Sequence, residues 1–211
     1  GSKKVVYNGK AKRNAKKIEN KSPKQTPKKR ANLDVHMRMK VYVLQYAPLA
    51  QKEMKKFGIP ASITLAQGLL ESQAGVGKLA LKSNNHFGIK CHKGWRGPSV
   101  SHDDDAKGEC FRKYKKVDQS YRDHSEFLRY RDRYSKLFKM KKPDYVSWAH
   151  GLKKAGYATD PQYAYKLISL IERYELWRFD GSKEPIKTKK AKKDKAKNDK
   201  GSTTQNYVVK Q

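Results

Sequence analysis

Between Pro60 and Glu71 the apolar residues Ile63, Ala66, Leu69 and Leu70 recur at helical spacing. The same period gathers Thr64, Gln67, Gly68 and Glu71 onto a second face of the predicted helix. The small residues Ser72, Ala74, Gly75 and Gly77 follow at once, so the helix is expected to end at an acid. Gly68 precedes that acid by one turn and is expected to leave open space beside it. A carboxyl at a helix end, flanked by apolar side chains, can stay protonated near neutral pH, and Glu71 is therefore a candidate proton donor. The plainer alternative is a solvated glutamate that merely ends a helix.

The 211 residues leave room for one ordinary domain, and the charge distribution indicates where it lies. Residues 1–30 carry twelve Lys and Arg against one acid, residues 31–180 twenty-eight against sixteen, and residues 181–211 ten against three. More than half of the net +30 thus sits outside the central segment. Both ends hold too few large apolar residues to offset the entropy of ordering them, so a disordered basic tail over 1–30 and a basic linker over 181–205 are expected. No segment approaches the roughly 18 apolar residues of a membrane span, and no signal-peptide core is visible. Gly1-Ser2 reads as a cloning remnant, and an exported protein would have lost its leader ahead of it. So basic a chain calls for a polyanionic neighbour. The lysine pairs Lys189-Lys190 and Lys192-Lys193 suit non-specific DNA contact at low salt, but no zinc-finger spacing, helix-turn-helix or aromatic platform accompanies them. No specific nucleic-acid partner is expected.

The central segment reads as mostly helical. Asp34 is expected to cap a helix from Val35 to about Tyr46, and Pro48 to open a second that runs to Phe57 before Gly58. A short helix is expected over Val76–Leu81. The period then changes: Ser99–Asp105 and Glu109–Tyr114 read as two strands about a turn containing Gly108. Asp118 is the expected cap of a helix that turns Tyr121, His124, Phe127 and Leu128 one way. Pro143 is expected to open a helix on Tyr145, Trp148, Ala149 and Leu152, ending at Gly156. A last helix has Asp160 as cap, Pro161 in its first turn, and Ala164, Leu167, Ile168, Ile171 and Trp177 inward. Many helices around one antiparallel hairpin make an α+β, mainly helical plan.

Cys91 and Cys110 straddle the hairpin. They suit a disulfide in an exported protein, two buried thiols, or a metal site with His92 and His102, although adjacent Cys91-His92 is poor ligand spacing. His86, His124 and His150 add no metal-binding pattern, and no serine or cysteine triad is present.

Several segments stand in a distinctive order: Gly58-Ile59-Pro60-Ala61-Ser62, Leu65-Ala66-Gln67, Leu70-Glu71-Ser72, and Asn84-Asn85-His86-Phe87-Gly88-Ile89-Lys90. They continue with Gly94-Trp95-Arg96-Gly97-Pro98, Phe111-Arg112-Lys113-Tyr114, Ser120-Tyr121-Arg122-Asp123-His124, and the run Gly156-Tyr157-Ala158-Thr159-Asp160-Pro161-Gln162-Tyr163-Ala164. Together they cover about residues 45–176 and resemble the family 73 glycoside hydrolases, bacterial peptidoglycan N-acetylglucosaminidases. The resemblance implies a lysozyme-like fold in which the hairpin forms one wall of a sugar groove and the helical body the other. It implies an autolysin in the bacterial envelope, periplasmic or secreted, acting on peptidoglycan glycan strands without cofactor or metal; a monomer is expected, and the charge of the basic tails points to anionic envelope polymers as their partners.

Glycoside hydrolysis needs an acid and a second group to manage the oxocarbenium-like charge. Glu71 is the expected donor. The family carries an acidic residue, typically Glu, on the hairpin wall; this chain has no Glu in that strand and offers Asp103, Asp104 and Asp105. Asp103 and Asp105 would share a face and Asp104 the other, with Asp104 or Asp105 nearest the family position. A solvated acidic turn is the alternative. Tyr157 corresponds to a family active-site tyrosine, expected to orient the substrate acetamide or the attacking water. Gln67, Asn85, Phe87, Lys90, Trp95 and Tyr163 are the expected sugar contacts. Asn206-Tyr207-Val208-Val209-Lys210-Gln211 resembles the opening strand of a LysM wall-binding module, so residues 206–211 would begin a truncated second domain. The alternatives are a muramidase or lytic transglycosylase on the same fold, and a non-catalytic polybasic module that binds wall or nucleic acid.

Overall fold

The helix expected to end at Glu71 spans Ala61–Glu71 (α2), and every residue from Ala61 to Leu69 is buried. A helix so enclosed is the axis of its domain: Ile63, Leu65 and Leu69 are fully removed from solvent, each worth about 1.5–3 kcal/mol of transfer free energy. The computed structural model describes residues 27–103, 107–140 and 144–186. Around α2 pack α1 (Pro27–Phe57), α5 (Tyr145–Lys154), α6 (Tyr163–Arg173) and a 3-10 turn, Leu176–Asp180. Between them in sequence lie α3 (Lys78–Ser83), the strands β1 (Ser99–His102) and β2 (Glu109–Arg112), α4 (Val117–Arg129) and a second 3-10 turn, Asp132–Lys139.

The two expected N-terminal helices are one. Pro48 lies inside α1 rather than opening a new helix, and Asp34 lies within it rather than capping it. Pro48 cannot donate to the carbonyl of Leu44, but both residues are exposed, so water can satisfy that carbonyl. The buried stripe Tyr42, Val43, Ala47, Ala50 and Phe57 carries the helix through. Its start at Pro27 falls inside the segment expected to be a tail. Glu53, 1 % exposed, lies on the same inner side and takes both hydrogen bonds of the Arg122 guanidinium, at 2.7 and 2.9 Å, which ties α1 to α4.

The N-terminus of α2 has no cap from its own neighbourhood. Asp180, 118 residues away, supplies it: its carboxylate accepts from Ser62 N at 2.8 Å and Ser62 Oγ at 2.6 Å. The chain's last described turn is thus fastened to its central helix, and Ile186 continues onto the core and donates its backbone N–H to Tyr145 Oη at 3.2 Å.

The hairpin is antiparallel, pairing Ser99 with Arg112 and His102 with Glu109, and is shorter than expected. Lys90 bridges to Phe111 on the other edge of β2, and a disulfide joins Cys91 to Cys110 with Cα atoms 5.3 Å apart. In α4 the capping side chain is Gln119, whose Oε1 accepts from Lys115 N and Lys116 N, while Asp118 sits in the first turn. Asp144 caps α5 through Ser147 N. α6 begins at Tyr163, and Asp160 accepts from Gln162 N in the turn before it; Trp177 belongs to the following 3-10 turn, not to that helix. The whole is α+β and mainly helical. The tail over 1–26, the part of the expected linker past Ile186, the LysM-like end, Pro143 and the pair Asp104-Asp105 lie outside the described residues.

Candidate active site

α2 is brought to a stop just past Glu71 by a tight turn. Ser72 Oγ donates to Gly68 O at 2.5 Å and accepts from Gly75 N at 2.8 Å, while Ala74 N reaches back to Leu69 O at 2.9 Å. Gln73 and Ala74 adopt left-handed backbone, at φ 52° and 56°. Such conformers are unfavourable for residues with a Cβ and persist where the surroundings enforce them. The turn therefore fixes where the helix ends, and Glu71 emerges from it exposed.

The carboxyl is held from the opposite side of the chain. Tyr163 Oη donates to Glu71 Oε1 at 3.1 Å, and Gln67 Nε2, one turn back on α2, donates to Tyr163 Oη at 3.0 Å. Tyr157 stacks on Tyr163 with centroids 5.6 Å apart and planes at 26°. Burial raises the pKa of both phenols well above the ordinary value; for Tyr157 the charge of Glu71 adds to it, and for Tyr163 both Tyr157 and Glu71 do. Both hydroxyls are therefore neutral donors at any physiological pH. Glu71, Gln67, Tyr157 and Tyr163 form one cluster drawn from α2, α6 and the loop before α6.

Space beside the acid is filled, contrary to expectation. A Cβ on Gly68 would lie 2.5 Å from Tyr42 Oη and 3.2 Å from Tyr121 Oη. Gly68 is needed because two tyrosine hydroxyls pass against the helix backbone there. Tyr42 Oη hydrogen-bonds His86 Nδ1 and Tyr121 Oη, both at 2.9 Å, so a polar layer lies directly beneath the last turn of α2. Burial pushes His86 down to about 4 and His124 down to about 3, so both imidazoles are neutral.

Four expected sugar contacts, Gln67, Asn85, Phe87 and Tyr163, lie inside the fold, where burial removes them from direct contact. Gln67 is fully enclosed; Phe87 stacks on His124 at 4.0 Å. Asn85 donates to Ile89 O and Arg112 O, both at 2.9 Å, and accepts from Ile89 N, which staples the 85–89 loop to β2. Trp95 is half-buried with the Arg112 guanidinium 4.2 Å over its ring, and Arg112 is itself fixed by Asp123 at 2.8 and 3.0 Å. Lys90 donates to Glu109 at 2.8 Å.

On the hairpin, Asp103 is exposed and accepts from Gly108 N at 2.7 Å, closing the turn. Its partners Asp104 and Asp105 lie outside the described residues. A further acid, Glu109, stands on β2 outside the motifs that mark the site, with its side chain 21 % exposed. The alternation Glu109, Phe111 was the available signal: Phe111 is buried, so Glu109 shares its inward side. The Tyr42–His86–Tyr121 layer and the Asp180 cap left no comparable trace, because they join residues 44 to 118 apart.

An exposed carboxyl locked to a buried phenol, over a rigid polar layer, can exchange a proton with a substrate that approaches from solvent. Residues 47–176 match the family model described as mannosyl-glycoprotein endo-beta-N-acetylglucosaminidase. The exo-glucosaminidase LytG of Bacillus subtilis is 34% identical over 149 residues, 66% of this chain and 53% of LytG. The peptidoglycan hydrolase FlgJ of Vibrio parahaemolyticus is 34% identical over 145 residues, 64% of this chain and 47% of FlgJ. The chain thus spans about half the length of these relatives. Among solved structures, a peptidoglycan hydrolase from Sphingomonas sp. A1 superposes with TM-score 0.59 at 28% identity, covering 70% of this chain and 98% of the other.

Proposed function

The chain belongs to the glucosaminidase family, and from that membership we propose that it hydrolyses the β-1,4 bond between N-acetylglucosamine and N-acetylmuramic acid in peptidoglycan, with Glu71 as general acid. The observation that carries this reading is the exposed Glu71 carboxyl, hydrogen-bonded at 3.1 Å by a tyrosine 92 residues away in a motif of its own. In the proposed reaction Glu71 gives its proton to the bridging oxygen as the bond from that oxygen to the anomeric carbon breaks. Water then adds to the anomeric carbon and returns a proton to a carboxylate.

The developing positive charge is met by a second group. Asp103, Asp104 and Asp105 on the hairpin remain the proposed source, joined by Glu109, with the substrate's acetamide as the alternative. Tyr157 is proposed to orient that acetamide or the water, and Lys90 and Trp95 to line the sugar path. Gln67, Asn85 and Phe87 serve from beneath. The catalytic domain is proposed over 31–180, between a basic tail and a basic linker to a LysM-like module at 206–211, in a monomer located in the envelope or secreted. Anionic envelope polymers are the proposed partners of the basic ends.

Digesting purified peptidoglycan and reducing the products tests the cleavage site. Reduced N-acetylglucosamine at the new ends is the expected result, and fragment length separates endo from exo cutting. Reduced or 1,6-anhydro N-acetylmuramic acid would overturn the assignment in favour of a muramidase or lytic transglycosylase, and binding without release would favour the non-catalytic reading.

A further inference from the structure

Gln67 is a polar side chain enclosed in the apolar centre of the fold, fully removed from solvent. Its Nε2 donates to Tyr163 Oη at 3.0 Å, yet its Oε1 has no hydrogen-bond partner among the described residues. A leucine would fill this site between Ile63 and Leu70 without an orphaned polar atom. What the amide adds is its single contact, and that contact is with the phenol that holds Glu71 at 3.1 Å.

Resting on the reading of Glu71 as the acid, we propose that Gln67 is a positioning residue that keeps the Tyr163 hydroxyl bonded to Glu71 in both protonation states of the carboxyl. A phenol has one proton to donate. While Glu71 is ionised, that proton points at Oε1 and the phenol oxygen accepts from Gln67 N–H. When Glu71 is protonated on Oε1, the oxygen that faces Tyr163, its O–H becomes a donor to Tyr163 Oη, and the phenol proton needs another acceptor. Gln67 provides one by turning its amide over, so that carbonyl and NH2 exchange places.

One end of the amide is unpartnered in either orientation, so the two orientations carry similar desolvation costs and neither state of Glu71 is strongly preferred. Tyr163 does not have to move, since its ring is stacked on Tyr157 at 5.6 Å and is 3% exposed. Only protons and an amide reorient. A general acid that loses and regains its proton each turnover thus keeps the same neighbour throughout.

The test is the pH profile of kcat/KM on soluble, uncrosslinked peptidoglycan glycan strands. In Gln67→Leu the phenol proton has Glu71 as its one remaining acceptor, which favours the ionised carboxyl. The basic limb should fall by about half a pH unit or more, with kcat reduced and KM within about twofold. Tyr163→Phe removes the donor to the carboxylate, so its basic limb should rise. The double variant should match Tyr163→Phe alone, because Gln67 acts only through that hydroxyl.

Gln67→Met, unbranched like glutamine, carries the same expectations should the leucine variant not fold. A uniform loss of rate with unshifted limbs, a change in KM alone, or additive shifts in the double variant would overturn the inference. Glu71→Gln in the same assay separates the two ideas. If it is dead while Gln67→Leu keeps the parent profile, the relay fails and the acid stands; if it keeps full rate, the acid assignment itself fails.

Discussion

Gly68→Ala sets two effects against each other. In a helix interior the exchange gains about 1 kcal/mol from propensity. Against that, the added Cβ would come within 2.5 Å of Tyr42 Oη and 3.2 Å of Tyr121 Oη, both in a buried network. Overpacking of this kind costs about 1–3 kcal/mol. If Tyr42 is displaced, its bonds to His86 and Tyr121 are each worth about 1 kcal/mol more. With Tyr42 displaced the balance is a net loss of about 2–4 kcal/mol. For a domain of this size each kcal/mol moves Tm by about 2–4 °C, so thermal melting followed by circular dichroism should show a fall of about 4–16 °C. Repeating the exchange in a Tyr42→Phe background isolates the cause: with the hydroxyl gone, the closest Tyr42 atom is Cζ at 3.3 Å, and the penalty should at least halve. A rise in Tm, or an equal penalty in both backgrounds, would refute the reasoning.

Asp180→Ala should cost about 1–2 kcal/mol in urea unfolding by stripping Ser62 N and Oγ of their acceptor, and unchanged stability would contradict the capping role. Acid should weaken the fold through His86 and His124, held at about 4 and about 3 against 6.5 when unfolded. Because those folded values lie below the unfolded one, the unfolded chain binds more protons as pH falls. The loss is absent above about pH 6.5 and grows below it, reaching about 2 kcal/mol per histidine at pH 5. Asp180, pushed up to about 6 mainly by burial, works in the opposite sense and offsets about 1 kcal/mol there. Urea midpoints at pH 7.5 and pH 5 check this, and equal stability at the two values would contradict it.

Periodicity made α2, α4, α5, α6 and the hairpin legible, because each buries a stripe or face that repeats at its own period. It failed at Pro48, where a local helix-breaking rule lost to a continuous buried stripe from Tyr42 to Phe57. It also failed at caps: Asp34 and Asp118 have the right residue type, but Asp34 lies in mid-helix and Gln119 supplies the cap of α4. The site was partly legible. Glu71, Tyr157 and Tyr163 come from motifs that the family resemblance supplied, and the structure draws them into one cluster. That Gln67 and Asn85 work inside the fold was not legible, since burial of a polar side chain depends on partners such as Tyr163 and Arg112 that are distant in sequence. Gly68 was misread for the same reason: a glycine signals close approach, but the sequence does not say what approaches.

Everything proposed for the site depends on Glu71 donating the proton that breaks the glycosidic bond. The most direct measurement is the initial rate of fragment release from purified sacculi by the parent chain and by Glu71→Gln, with matched melting curves to show that both are folded. A glutamine keeps the shape and can still meet the Tyr163 hydroxyl but has no proton of suitable acidity to give. The expected result is a loss of at least about a hundredfold with Tm unchanged within a few degrees. A folded Glu71→Gln chain that releases fragments at the parent rate would contradict it.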